Sequence, residues 1–436
     1  MDFPCPERGE GRIGMSALDS PEALALLKEA EITSENVGAL SGRLTGFLKR
    51  YLPRFYCRQQ RRNASVVVGG LLSDLERKTL EPIAYRNGLH RKPVQFFVGS
   101  GKWDDEAVMG EIRSHVSETF ADDEGVLVID PSSFPKKGKA SCGVKRQWCG
   151  RLGKVENCQQ GVFLAYASER GHGPLDRRLY LPEEWANDPA RRKKCHVPEG
   201  VQFAKNWQIA IGMISRASAI PHGWVAADDE FGRATEFRDW LAGHGERYVL
   251  DVPCNTLVRD LKAPRPRRRK AGVGRKRLGA FLRAEAWAAR QPKDAWTRFD
   301  IRDGELSPLA VEAISARVLT KREGAIGPEE LLIVIRSLEA QPRTWYVLSN
   351  ASKDVPLIEP VRAHAQRHRV ERLFGEAKGD VGFDHYEVRS WVGWHHHMTL
   401  SLLALWFLQL ETIRLRGEKT GRHRLPVEAD LLKAAS

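Results

Sequence analysis

Three acids in this 436-residue chain stand where carboxylates could share a metal ion. Asp130 ends the apolar run VLVID (126–130), Asp228 ends GWVAAD (223–228), and Glu371 lies in HRVERLFGEAKGD (368–380). Hard divalent cations take oxygen ligands, and two of them about 3.5–4 Å apart can activate a water and stabilise a leaving oxygen. Taken singly, each of these acids is better explained as a structural or solvated carboxylate; their placement in a shared β/α order favours the catalytic reading. An acidic site that works on a polyanion also needs cations around it. Lys and Arg (69) exceed Asp and Glu (56), a net charge of +13 that suits nucleic acid or an acidic membrane surface.

The stretch around Glu371 contains a second candidate, Glu376, and helical phase separates them. At about 100° per residue, His364, Arg367 and Lys378 fall within roughly 40° of Glu371 and form one polar stripe. Val370, Leu373, Phe374 and Ala377 form the adjoining apolar face, while Arg369, Arg372 and Glu376 point towards solvent. Glu371 is therefore the better ligand. Asp229 and Glu230 adjoin Asp228 as neighbours rather than ligands, and Asp122 and Asp123 belong to a loop before the first strand.

The elements that must position these acids alternate. VLVID, VENCQQGVFLAYAS (155–168) and RRLYLP (177–182) read as strands, with a basic turn between the first two. A helical period follows over 201–218, a strand over 223–228, a helix over 234–245 and a strand in RYVLDVP (247–253). The order is β-β-β-α-β-α-β, with Asp130 and Asp228 at the C-terminal ends of the first and fourth strands. Residues 255–355 break the pattern. They open with KAPRPRRRKAGVGRKR (262–277), which holds nine Lys/Arg and no acid, and later contain strand-like LLIVIRS and TWYVLSN. A final long helix begins near Pro360.

These residues resemble a DDE-type insertion-sequence transposase of the IS-four and IS-seven-oh-one kind. The resemblance covers roughly residues 40–410. The family's Tyr-x2-Arg-x3-Glu-x6-Lys signature appears as His364, Arg367, Glu371 and Lys378, with His in place of Tyr. Its second-acid motif, Asp-x-x-aromatic-Gly, matches Asp228, Phe231 and Gly232. The first acid matches Asp130, although Pro131 and Ser132 follow it where several relatives carry Asp-Asp-Thr. GFDHYEVRSWVGWHHHMTLSLLAL (382–405) is similar to the family's stretch after the signature.

The resemblance implies an α/β fold: a ribonuclease-H-like mixed sheet flanked by helices, with an all-α N-terminal domain and an insertion before the last catalytic helix. It implies strand cleavage at the ends of a mobile element and strand transfer to target DNA, with Asp130, Asp228 and Glu371 holding two Mg2+ ions, Mn2+ substituting. DNA phosphates would be held by His364, Arg367 and Lys378, by Lys136, Lys137, Lys139, Lys145 and Arg146 after the first acid, and by Arg267, Arg268, Arg269 and Lys270 in the insertion. The partners would be terminal inverted repeats and target DNA, with a homodimer in the synaptic complex. Another ribonuclease-H-like nuclease, or an inactive transposase acting as a DNA-binding regulator, is the alternative.

The domains expected are a loose stretch over 1–20, a helical DNA-binding domain over 21–120 with a basic patch CRQQRR (57–62), core over 121–254, basic insertion over 255–355, last core helices over 356–412 and a tail over 413–436. Trp287 and Trp296 in the insertion could stack on a base or fill a core, and stay unassigned. The seven cysteines, odd in number and without a C-x-x-C pair, read as buried or incidental thiols. GSGK (99–102) lacks the rest of a phosphate-loop motif. The three consecutive histidines 395–397 cannot converge on one ion from a helix, so packing or DNA contact is expected of them. MTLSLLALWFLQL (398–410) is too short to span a bilayer and reads as a buried helix. A cytoplasmic, nucleoid-associated protein without a membrane partner is the expectation.

Overall fold

The computed structural model describes residues 38–263, 280–302, 309–339 and 341–418. The stretch 1–20 and the cluster Arg267–Lys270 lie outside the described residues, as does the tail after 418. The described residues form two compact units, one within 38–104, 376–387 and 396–418, the other within 105–375 and 388–395.

In the first unit, apolar residues recur at helical spacing. α1 (Leu40–Tyr51), α2 (Arg58–Leu71), α3 (Leu80–Arg86) and α4 (Arg91–Gly99) follow one another. Ala64, Val67, Val68 and Leu71 of α2 fall at i, i+3, i+4 and i+7 and are all buried, while Arg58, Arg61 and Arg62 face solvent. Within this unit Phe47 meets Phe407 at 5.2 Å, and Arg43 pairs with Glu411 at 2.8 Å.

The second unit is built on one sheet. α5 (Asp105–Phe120) leads into β1 (Val126–Pro135), β2 (Lys145–Cys149), β3 (Lys154–Ser168) and β4 (Gly171–Leu179). Then come α6 (Asn206–Ala217), β5 (Trp224–Ala227), α7 (Thr235–Gly243) and β6 (Tyr248–Asp251). The core strands lie in the order β4-β3-β1-β5-β6. β1, β5 and β6 are parallel, and β3 is antiparallel to both β1 and β4. This is the ribonuclease-H-like mixed sheet that the family resemblance implies. Val126–Ile129, Trp224–Ala227 and Tyr248–Leu250 are buried without a break, as strands covered on both faces must be.

The insertion continues the same sheet. It holds β7 (Leu257–Asp260), β8 (Leu282–Arg283), β9 (Thr297–Arg302), β10 (Leu309–Arg322), β11 (Ala325–Ser337) and β12 (Thr344–Ser349). β12 pairs antiparallel with β6, so the insertion covers an edge that the core would otherwise expose. Val258, Trp287, Val318, Leu332 and Leu348 belong to one apolar cluster there. Glu330 of β11 is buried and accepts hydrogen bonds from Arg238 (2.9 Å), Tyr248 (2.7 Å) and Thr320 (3.0 Å), so this buried carboxylate is partnered by both the core and the insertion.

Three details differ from the reading of the sequence. The basic turn after Asp130 contains a strand, β2, held by pairing with the far end of β3 rather than by its own composition. The strand expected over 177–182 ends at Leu179. The last helix, α9 (Trp391–Glu418), starts seven residues before Met398, so Trp391–Leu415 is long and apolar enough by length and composition to cross a membrane. Its most apolar window is 83% buried inside the fold, as a core helix would be. The preceding helix, α8 (Ile358–Asp380), carries Glu371.

Candidate active site

β1 and β5 pair in parallel as far as Ile129 and Ala227, and β5 and β6 as far as Ala227 and Leu250. The next residues along these strands are Asp130, Asp228 and Asp251. The register thus sets three aspartates in one row, with strands about 4.8 Å apart. Asp130 is half-buried and lies inside β1, which runs on to Pro135.

Asp228 caps a short helical turn, Asp229–Gly232, its carboxylate accepting from the Glu230 N–H at 3.0 Å. Phe231 anchors that turn and is wholly buried. Gly232 packs so closely on β6 that a Cβ there would lie 1.8 Å from the Asp251 carbonyl oxygen. The Asp-x-x-Phe-Gly spacing therefore has a steric reason: the aromatic holds the turn down and the glycine lets it press on the next strand. Burial pushes the Asp228 carboxyl up to about 6; Arg367 opposes the rise, while Glu230 and Asp229 add to it.

Asp251 has the opposite environment. Its Oδ1 is 2.8 Å from His364 Nε2, and Arg367 Nη1 donates to Oδ2. Burial alone would raise this carboxyl, but His364 and Arg367 outweigh it and hold it below the usual carboxylate range. Arg367 also donates from Nε to Glu371 at 3.1 Å. Burial works against the Arg367 charge, and Asp251, Glu371 and Asp228 together raise it above an ordinary arginine. Glu371 is the most exposed of the group, its side chain 42% accessible; burial would raise it, and His368 and Arg367 keep it low.

Of the residues selected from the sequence, the structure sets Asp130 beside Asp228 by register and links Arg367 with Glu371 and His364 through Asp251. Val370, Leu373, Phe374 and Ala377 are buried, as the helical phase required. Arg369, expected in solvent, instead donates to the Ser168 carbonyl at 2.6 Å. The side chain of Glu376 lies outside the described residues. Lys378 follows two turns after Glu371 in α8 and belongs to the segment of the other unit. Lys139 and Arg146 are exposed beyond β1, and Lys136, Lys137 and Lys145 half-buried. His395, His396 and His397 are all buried and bond to Trp391, Val98 and Ser401, a packing role. Trp287 fills the insertion core, its Nε1 donating to Asp260 at 3.0 Å, and Trp296 carries Arg336 over its ring. Six described cysteines are free, four of them buried.

Asp251 was missed. Its signal was present, since RYVLDVP is a third apolar run ending in Asp, but nothing local distinguishes its partners.

The donor set fits a hard cation in part. Asp130 and Asp228 are oxygen donors on adjacent strands, and Asp228 is a half-buried carboxyl with Asp229 and Glu230 as acidic neighbours. Glu371, however, is held by Arg367, and among the described residues no group of three or more His, Cys, Asp or Glu side chains is gathered closely enough to hold an ion.

The fold and this row of acids define a ribonuclease-H-like protein. The chain belongs to the DDE superfamily endonucleases: that family matches residues 50–308, more than half of it. The match takes in Asp130 and Asp228, and Glu371 lies beyond it. Over 132 residues the chain is 35% identical to the probable transposase for insertion sequence element IS701 of Microchaete diplosiphon. That match covers 28% of this chain and spans about a third (33%) of the relative's length.

Proposed function

We propose that the protein is a cut-and-paste transposase that cleaves DNA at the ends of its own element and joins the freed 3′-hydroxyl to target DNA. The observation that carries this reading is Asp228, a half-buried carboxyl one strand from Asp130, in an environment that disfavours its charge unless a cation arrives. Asp130, Asp228 and Glu371 would hold two Mg2+ ions, with Mn2+ able to replace them. Bound there, the metal would supply Lewis acidity to the scissile phosphate and a nucleophile at neutral pH. The chain's own groups do the remaining work. Asp251 anchors His364 and Arg367, which keeps the Glu371 face of α8 turned towards the ends of β5 and β6. Arg367 balances the acids, so that a phosphate can approach an otherwise negative edge. Lys378, the cations after β1 and the 267–270 cluster would hold the DNA backbone.

The exposed arginines of α2 support a DNA-binding role for the helical N-terminal region. Two element ends brought together imply a homodimer in the synaptic complex. The test is incubation with Mg2+ and DNA that does or does not carry the inverted repeats. A transposase cuts and joins only the former. A general nuclease cuts both, and an inactive regulator binds without cutting. Glu371→Ala should abolish cleavage; cleavage that survives it removes Glu371 from the site.

A further inference from the structure

The hairpin beyond the catalytic strand combines features that folding alone does not require. Residues 136–155 contain seven Lys/Arg and no Asp or Glu. Trp148 of β2 is 61% exposed, Val155 of β3 51%, and Leu152 in the turn between them 44%. Trp148 and Val155 are direct cross-strand partners, and Arg146 pairs with Asn157 two positions along. Partners in an antiparallel pair share a face, so Arg146, Trp148, Val155 and Asn157 lie on one side of the ribbon. Asn157 donates to the carbonyls of Lys136 (2.6 Å) and Gly138 (3.0 Å), which ties the turn carrying Lys136, Lys137 and Lys139 to the hairpin. Lys154 has one acidic neighbour, Glu156, at 3.6 Å.

An exposed tryptophan paired with an exposed valine calls for an apolar surface to cover it. The charge around it decides which. A second copy of this hairpin would bring seven cations against seven, whereas DNA brings phosphates on both sides of a groove lined by bases. A two-stranded ribbon also fits the major groove, which is about 12 Å wide. We propose that this hairpin lies in the major groove of the duplex flanking the cut, with its cations on phosphates and Trp148, Leu152 and Val155 against base edges.

The placement predicts where. Asp130 pairs with Phe163, and Trp148 with Val155, eight residues away along β3. At about 3.3 Å per residue that is at most about 26 Å, or roughly eight base pairs from the scissile phosphate. The inference rests on the DNA-cutting reading above, yet its test needs no cleavage.

The full-length protein is titrated with a fluorescent 30-base-pair duplex over a range of salt. Trp148→Ala should weaken binding roughly tenfold without changing the salt slope, because an apolar contact releases no counterions. Arg146→Gln with Lys154→Gln should reduce that slope by about two. Both variants should melt as the wild type does, since the altered side chains are exposed. Unchanged affinity and slope in both would overturn the proposal. So would a Trp148→Ala protein that binds DNA normally but loses self-association in sedimentation, which would assign the patch to a second copy. Failure of the wild type to cut end-containing DNA would count against the transposase reading alone.

Discussion

Asp228 and Asp251 occupy equivalent positions on neighbouring parallel strands, both follow buried apolar runs, and they are electrostatic opposites. Asp251 is saturated by His364 and Arg367 and held low. Asp228 is pushed up by burial, with Glu230 and Asp229 adding to the rise, and the Glu230 N–H donates to it. An aspartate at a strand end is therefore not a site by type. Within this pair, Asp251 is tied to fixed cationic partners, whereas Asp228 is left short of charge balance, which in the reading proposed above leaves it open to a ligand. The direction of the shift separates the two roles more clearly than sequence position does.

The contrast can be broken most severely at Asp228. Asp228→Asn should reduce Mg2+-dependent cleavage by about 10³-fold while duplex binding stays close to wild type, as cleavage and anisotropy assays would show. The same change at Asp251 should act on the fold instead. Asp251→Asn leaves Arg367 short of a buried partner and should cost about 3 kcal/mol in urea unfolding, whereas Asp228→Asn should cost little or even stabilise the metal-free protein. If the two variants exchanged behaviours, the assignment of roles would be reversed.

Acidity gives the next test. The folded Asp228 carboxyl titrates near 6 against an ordinary value of 3.8, so the native state binds the extra proton between those values. In EDTA, this group's contribution therefore falls as pH rises from 3.8 to 6, by up to about 3 kcal/mol. Asp251, being depressed, contributes above its unfolded pKa and loses that contribution as pH falls below 3.8 through its folded value. Melting curves across pH 3–7 should show the upper slope vanish in Asp228→Asn and persist in Asp251→Asn. The smallest effect sits where the two aspartates meet. Gly232→Ala forces the turn away from the Asp251 carbonyl and should cost about 2 kcal/mol, with a modest loss of cleavage; a neutral result would show that the turn can shift freely.

Much of this could be read in advance. The buried runs before Asp130 and Asp228 needed only their composition, and the buried face of α8 needed only its period. Arg369 could not be assigned that way, because its acceptor is a carbonyl 201 residues away. β2 is not legible for a different reason: its partner is close in sequence, but pairing with β3, not its own pattern, makes it extended. Trp148 and Trp287 are the same residue type in similarly basic surroundings, yet one is exposed and the other packed in a core.

The sequence by itself determined most of the elements, which faces are apolar and which apolar runs lead into Asp130 and Asp228, because side-chain period and turn chemistry are local; that β1 runs on past Asp130 to Pro135 came from pairing with β3. Tertiary structure alone decided that Asp130, Asp228 and Asp251 form one row, that His364 and Arg367 answer to Asp251, and that the basic turn is a ribbon with an uncovered tryptophan. Those facts depend on strand register and helix docking, which for His364 and Arg367 join residues 113 and 116 positions from Asp251, and no local pattern encodes which partner completes a charge or covers a ring.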